Sequence, residues 1–99
     1  MNTNNPQTYC VTAELNVLHG IAPQLAQKHL QQLAQVTRLE KGCLHFEVHC
    51  DMQNERRLIL WECFADEAAF KQHFAEKHTA DYLALNLTEV VQHWFTQPV

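Results

Sequence analysis

The spacing of apolar residues changes period along this chain, and that succession restricts the fold more than any single motif. From Tyr9 to Leu18 they alternate, with Tyr9, Val11, Ala13, Leu15 and Val17 on one side and Cys10, Thr12, Glu14 and Asn16 on the other. Such alternation marks a strand that buries one face. Over Gln24 to Leu39 the interval lengthens: Leu25, Ala26, Leu30, Leu33, Ala34 and Val36 recur at three- and four-residue steps, and Gln, Lys and Arg fill the outside. A helix lying on a surface has that pattern. Pro23 suits its first position, where the missing N–H would have had no partner, and Gly42 is placed to end it in the left-handed conformation.

Alternation resumes over Cys43 to Asp51, with Leu44, Phe46 and Val48 opposite His45, Glu47 and His49. After the polar link Met52-Gln53-Asn54-Glu55 a third strand runs from Arg57 to Phe64, so the two strands predict a hairpin. Asp66 and Glu67 bring negative charge to a helix start, and Ala69, Phe70, His73 and Phe74 form the buried stripe of a second helix ending near Lys77. Thr79 is placed to cap a short third helix carrying Tyr82, Leu83 and Leu87. Thr88 to Phe95 then closes the chain as a strand, with Val91, His93 and Phe95 opposite Val90, Gln92 and Trp94. The order β-α-β-β-α-α-β predicts a ferredoxin-like α+β fold, a four-stranded antiparallel sheet with helices on one face. Residues 9–96 make one domain, preceded by a flexible segment 1–8 and followed by a short tail 97–99.

Composition adds exclusions. Of 99 residues 46% are hydrophobic and 18% charged, against about 25% charged in average soluble domains, which predicts surface hidden between copies and hence a homodimer. Two Gly and three Pro in so apolar a chain exclude disorder. A membrane span is excluded because no stretch approaches the roughly 20 apolar residues it needs, and the polar start Met1-Asn2-Thr3-Asn4-Asn5 has no export signal, so a cytoplasmic location is expected. With net charge -4 and scattered basic residues, nucleic acid is not an expected partner. Cys10, Cys43, Cys50 and Cys63 lack C-x-x-C spacing and read as reduced, packed thiols.

The second half carries denser signals: Leu39-Glu40-Lys41-Gly42-Cys43-Leu44-His45-Phe46-Glu47-Val48, then Ile59-Leu60-Trp61-Glu62-Cys63-Phe64-Ala65-Asp66-Glu67-Ala68-Ala69-Phe70, then His73 and His78. This resembles the antibiotic biosynthesis monooxygenase family of dimeric α/β barrels. Its members carry E-x-G-C-L-x-Y/F-E-V/L, a strand end of aromatic-Glu-x-aromatic followed by x-D/S-E-x-A-F/L, and a histidine beyond the helix-core aromatic. The resemblance runs from Val11 to Trp94. It implies a homodimer whose sheets pack face to face, with a pocket between sheet and helices in each subunit. Activities in that superfamily include cofactor-independent oxygenation of quinols and phenols, haem degradation and isomerisation of a small phosphorylated dione, so fold alone does not choose among them.

His78 matches the family's recurrent histidine and is the candidate base, since an imidazole can take a proton from a phenol or enediol near neutral pH; capping the preceding helix is the alternative. Phe46, Phe64, Phe70, Phe74 and Tyr82 are the candidate substrate-binding residues. Among them Glu62 is a lone carboxylate on an apolar strand face, fit either for proton transfer with a raised pKa or for pairing with Arg57 or a helix N-terminus. On the opposite face Asn16, His45, Glu47, His49 and Trp61 are the candidate dimer interface. His45 and His49 lie about 13 Å apart along a strand, too far to share one metal ion, so no metal is expected there. No haem is expected either, because Ala13 and Phe64 stand where the haem-degrading subgroup has Asn and Trp. No nucleotide-binding glycine motif is present, and no cofactor is expected. The leading reading is oxygenation of a small aromatic or quinol-like substrate by dioxygen. An isomerase of a small phosphorylated hydroxy-dione, using Arg56-Arg57, and a dimeric small-molecule-binding or stress protein are the alternatives.

Overall fold

The computed structural model describes residues 7–99, so most of the segment expected to be flexible lies outside the described residues. The elements are β1 (Tyr9–Val17), α1 (Pro23–Thr37), β2 (Cys43–Asp51), β3 (Asn54–Phe64), α2 (Glu67–Ala75), α3 (Lys77–Leu85) and β4 (Thr88–Thr96). All strand pairs are antiparallel and the sheet order is β2-β3-β1-β4, the ferredoxin-like arrangement that the periodicities imply. No helix among the described residues is long and apolar enough to cross a membrane.

One face of the sheet carries the core. Val11, Ala13, Leu15 and Val17 of β1 and Leu58, Leu60 and Phe64 of β3 meet Ala26, Leu30, Leu33 and Ala34 of α1. Each large side chain buried there stabilises the fold by about 1.5–3 kcal/mol relative to exposure. The helices pack chiefly over β2 and β3, and on β4 Val90 and Phe95 stay more than half exposed.

Two bulges reset the alternation. Cys43 pairs with Phe64 but His45 pairs with Cys63, so Leu44 is the extra residue. It joins His45, Trp61 and Cys63 on the outer face rather than facing the helices as expected. On β4 Gln92 pairs with Glu14 and Val90 with Leu15, leaving Val91 as the extra residue and turning Val90, with His93 and Phe95, inward. A bulge admits one unpaired residue, and an apolar residue at that point leaves the pattern looking unbroken.

Gly42 serves a different purpose from the one its position suggests. α1 ends at Thr37, before Leu39, and the glycine with positive φ among the described residues is Gly20, at 85°. A Cβ on Gly42 would instead overlap the Cβ of Ala69 in the first turn of α2. Gly42→Ala should therefore lower stability by about 1–3 kcal/mol, the usual penalty of overpacking, read as a lower midpoint in urea. An unchanged midpoint would mean that α2 moves aside freely.

Two further expectations are corrected. Cys10 and Cys63 form a disulfide and are not reduced thiols, because β1 and β3 are neighbours and place the two directly opposite each other. Cys43 and Cys50 remain free. Thr79 does not cap α3, which begins at Lys77 after the extended residue Glu76; it is buried inside the first turn. Asp66 does cap α2, its side chain accepting the Ala69 N–H at 2.8 Å.

Candidate active site

Between the inner face of the sheet and helices α2 and α3 lies a cavity of about 300 Å³, whose wall is mostly apolar. Strand alternation supplies one wall, with Val11, Ala13 and Leu15 from β1, Leu60 and Glu62 from β3, and Phe46 from β2. The opposite wall is Phe70, His73 and Phe74 of α2 with Thr79 and Tyr82 of α3, residues brought to one side by helical spacing. His93 and Phe95 of β4 complete it. Phe70 and Phe74 meet edge to face with centroids 5.1 Å apart, and Phe74 is half-exposed. The Tyr82 hydroxyl is tied to Thr88 Oγ1 at 2.6 Å.

Four of the five aromatic residues expected to bind substrate therefore border the cavity. Phe64 does not. It is completely buried behind the wall, its ring 5.7 Å from Phe70 and 5.4 Å from His73.

Glu62 is 7% exposed and its Oε1 has no hydrogen-bond partner among the described residues. Arg57 is not its partner, since that guanidinium binds Glu14 and Asp51 at 3.1 and 2.9 Å. Burial, and secondarily the charge of Glu40, push the Glu62 carboxyl up to about 7. The same two influences, burial first, push the Cys43 thiol up to about 11, so this cysteine stays protonated and is no nucleophile at neutral pH.

His78 sits in the first turn of α3 but does not border this cavity; it faces a shallower groove with His29 and Val36. The helix histidine in the cavity wall is His73, of α2, facing His93 of β4 as a second wall histidine. A carboxylate absent from the candidate residues, Glu40, joins His73 and His78: His73 Nδ1 lies 2.8 Å and His78 Nε2 2.5 Å from the same oxygen, Glu40 Oε2. Thr79 Oγ1 is 3.2 Å from His73 Nδ1. Glu40 belongs to the turn after α1, where no periodic pattern marks it. Its sequence signal is its place in the motif Glu40-Lys41-Gly42-Cys43.

Glu40, His73 and His78 are also the residues suited in type to hold a metal ion, their donor atoms lying within 4.8 Å of one another. Both rings are directed at one carboxylate oxygen, Glu40 Oε2. The trio is closed by its own hydrogen bonds.

Asn16, His45, Glu47, His49 and Trp61 lie on the other face of the sheet. There His45 stacks on Trp61 with centroids 4.9 Å apart, and Trp61 and Trp94 are exposed over more than a third of their surface. Arg56 donates to the carbonyls of Val17 and Leu18 at 3.3 and 2.6 Å, so both arginines available for a phosphate are engaged away from the cavity.

An antiparallel sheet with helices on one face, and an apolar pocket between them that holds a buried acid, defines a ferredoxin-like α+β protein. Residues 8–85 match the model of the antibiotic biosynthesis monooxygenase family, and the chain belongs to that family. It is 35% identical over 80 residues to the uncharacterized protein YjcS of Bacillus subtilis (strain 168), a match spanning 81% of this chain and 76% of that one. The solved structure of YjcS superposes with a TM-score of 0.85 at 30% identity, covering 93% of this chain and 99% of the other. SnoaB, a cofactor-independent oxygenase from Streptomyces nogalater, shares the fold with a TM-score of 0.79 at 14% identity, over 93% of both chains.

Proposed function

We propose that this chain is a cofactor-independent monooxygenase that oxidises a small phenol or quinol with dioxygen. The observation that carries the reading is the cavity: mostly apolar, aromatic-walled, about 300 Å³, with one buried carboxyl held near 7 by its surroundings. In this chemistry a base removes the phenolic proton and the electron-rich anion itself reduces dioxygen. A phenol bearing a ring C–H plus one O₂ becomes a quinone plus water, with all four electrons drawn from the substrate. The protein then needs to supply a dry pocket, a proton acceptor and groups that hold the anion. Glu62 is proposed as the carboxyl that moves or orients a proton, and Phe46, Phe70, Phe74 and Tyr82 as the residues that shape the slot. Membership of the monooxygenase family and the shared fold of SnoaB support the same reading.

Oxygen consumption on a panel of one- to three-ring phenols and hydroquinones tests it. Stoichiometric O₂ uptake with quinone formation is expected for at least one compound. A ligand bound tightly with no uptake would instead make the protein a binder.

The working unit is proposed to be a homodimer joined through the outer sheet face, where Asn16, His45, Glu47, His49 and Trp61 lie. Trp61 is the central exposed anchor, and interfaces concentrate their energy in such aromatic residues. Sedimentation at micromolar concentration should give twice the mass of the chain, and Trp61→Asp should halve it. A monomeric wild type would refute the arrangement.

A further inference from the structure

We propose that Glu40 and His73 form a dyad in which the carboxylate fixes the imidazole as the base of the cavity, with His78 holding the carboxylate in place. The role given to the dyad in turnover rests on the oxygenase reading above; its geometry does not.

A neutral imidazole has one N–H and one bare nitrogen, and which is which follows from the partner of the other. Glu40, as a carboxylate, can only accept, so the nitrogen facing it at 2.8 Å, His73 Nδ1, carries the proton. Nε2, on the far side of the ring, is left as the acceptor. The ring borders the cavity and is 3% exposed, so the cavity is the side from which a molecule can approach it. A phenolic O–H placed there gives its proton to Nε2. The imidazolium so formed keeps its Nδ1–H bond to Glu40, and the two opposite charges sit on side chains only 3% and 10% exposed, where their attraction is strong.

Glu40 comes from a turn, and a single hydrogen bond would leave its side chain free to swing. The second bond, from His78 Nε2 at 2.5 Å to the same oxygen, removes that freedom. His78 is itself on α3, 22% exposed and outside the cavity wall, so it is a positioning residue and does not touch substrate. His78, the family-matching histidine, and His73 of the cavity wall thus share one carboxylate. Other titratable groups facing the cluster are Glu62 and Cys43, both under the influence of Glu40, with Arg38 also near Cys43.

The test is the tautomeric state of the ring, read by long-range ¹H–¹⁵N correlation in uniformly labelled protein at pH 8, with His73→Gln and His78→Gln used to assign the signals. In the wild type His73 should be protonated at Nδ1 and bare at Nε2. In Glu40→Ala it should pass to a mixture or to the opposite tautomer. In His78→Gln it should keep the wild-type tautomer with broadened signals. Glu40→Gln, isosteric with the wild type, repeats the measurement if the alanine variant does not fold. A proton on Nε2 of wild-type His73, or a tautomer indifferent to Glu40, would overturn the dyad. So would one equivalent of added Zn²⁺ or Co²⁺ bound through His73 and His78, because the trio would then be a ligand set. With a turned-over phenol in hand, Glu40→Ala should reduce kcat by about 10²–10⁴-fold with little change in KM, and an unchanged kcat would remove the catalytic role. If no phenol is oxidised but the tautomers are as expected, the oxygenase reading fails and the dyad stands.

Discussion

Replacing Glu62 by Gln should make the protein more stable at pH 8 and leave it almost unchanged at pH 4. The carboxyl is raised in the folded state to about 7 from an ordinary value of 4.5, with burial as the first cause. Below pH 4.5 it is protonated in both folded and unfolded chains and contributes no pH dependence. Between 4.5 and 7 the unfolded chain gives up the proton while the folded chain keeps it, so stability falls as pH rises. Above 7 the folded chain holds a buried charge and the loss is complete, on the order of 3 kcal/mol for a shift of this size. Gln mimics the neutral carboxyl and has nothing to ionise. Urea denaturation at fixed protein concentration, at pH 4 and pH 8, should therefore show the variant gaining up to about 3 kcal/mol at the higher pH only. The same substitution should lower turnover of a phenol by about 10²–10⁴-fold if the carboxyl moves the proton. An equal effect on stability at both pH values would mean that Glu62 is ionised throughout.

Phe64→Ala should be the most destabilising of the aromatic truncations, by about 3–5 kcal/mol. The side chain has no exposed surface and sits between Phe70 and His73, so its removal leaves a void behind the cavity wall. Phe74→Ala is the contrast. That ring is half-exposed at the cavity, and its loss should weaken substrate binding while costing less than about 1 kcal/mol of stability. Urea midpoints for the two variants decide the matter, and equal losses would put both rings in the same structural role.

The fold was legible because its signals are periodic and repeated. Four strand patterns and a long helical one leave few arrangements, and the alternation of β1 and β3 assigns the inner face of those two strands correctly. Pattern fails where one residue is added without changing its polarity, as at Leu44 and Val91. Glu62 could be found from sequence because a lone carboxylate among apolar inward positions stands out. Glu40 could not be separated from any other charged turn residue, since what makes it special is a histidine 33 positions later. The Cys10–Cys63 disulfide was hidden for the same reason: strand order, which brings together two side chains 53 positions apart in the chain, is a property of the whole sheet. His78 was singled out by position in a motif, and only packing shows that it meets the cavity through an intermediary.

The contact between Gly42 and Ala69 can be viewed as a matter of tolerances. Gly42 stands two residues after Glu40, and Ala69 stands one helical turn before His73. The place where a methyl group is missing is therefore a gauge block set between the two pieces of backbone that carry the acid and the imidazole. One added carbon would overlap the Ala69 methyl, so the two pieces of backbone that carry the acid and the imidazole would have to shift relative to each other. Manufacturing precision in this protein is concentrated at a spot that touches neither reacting group.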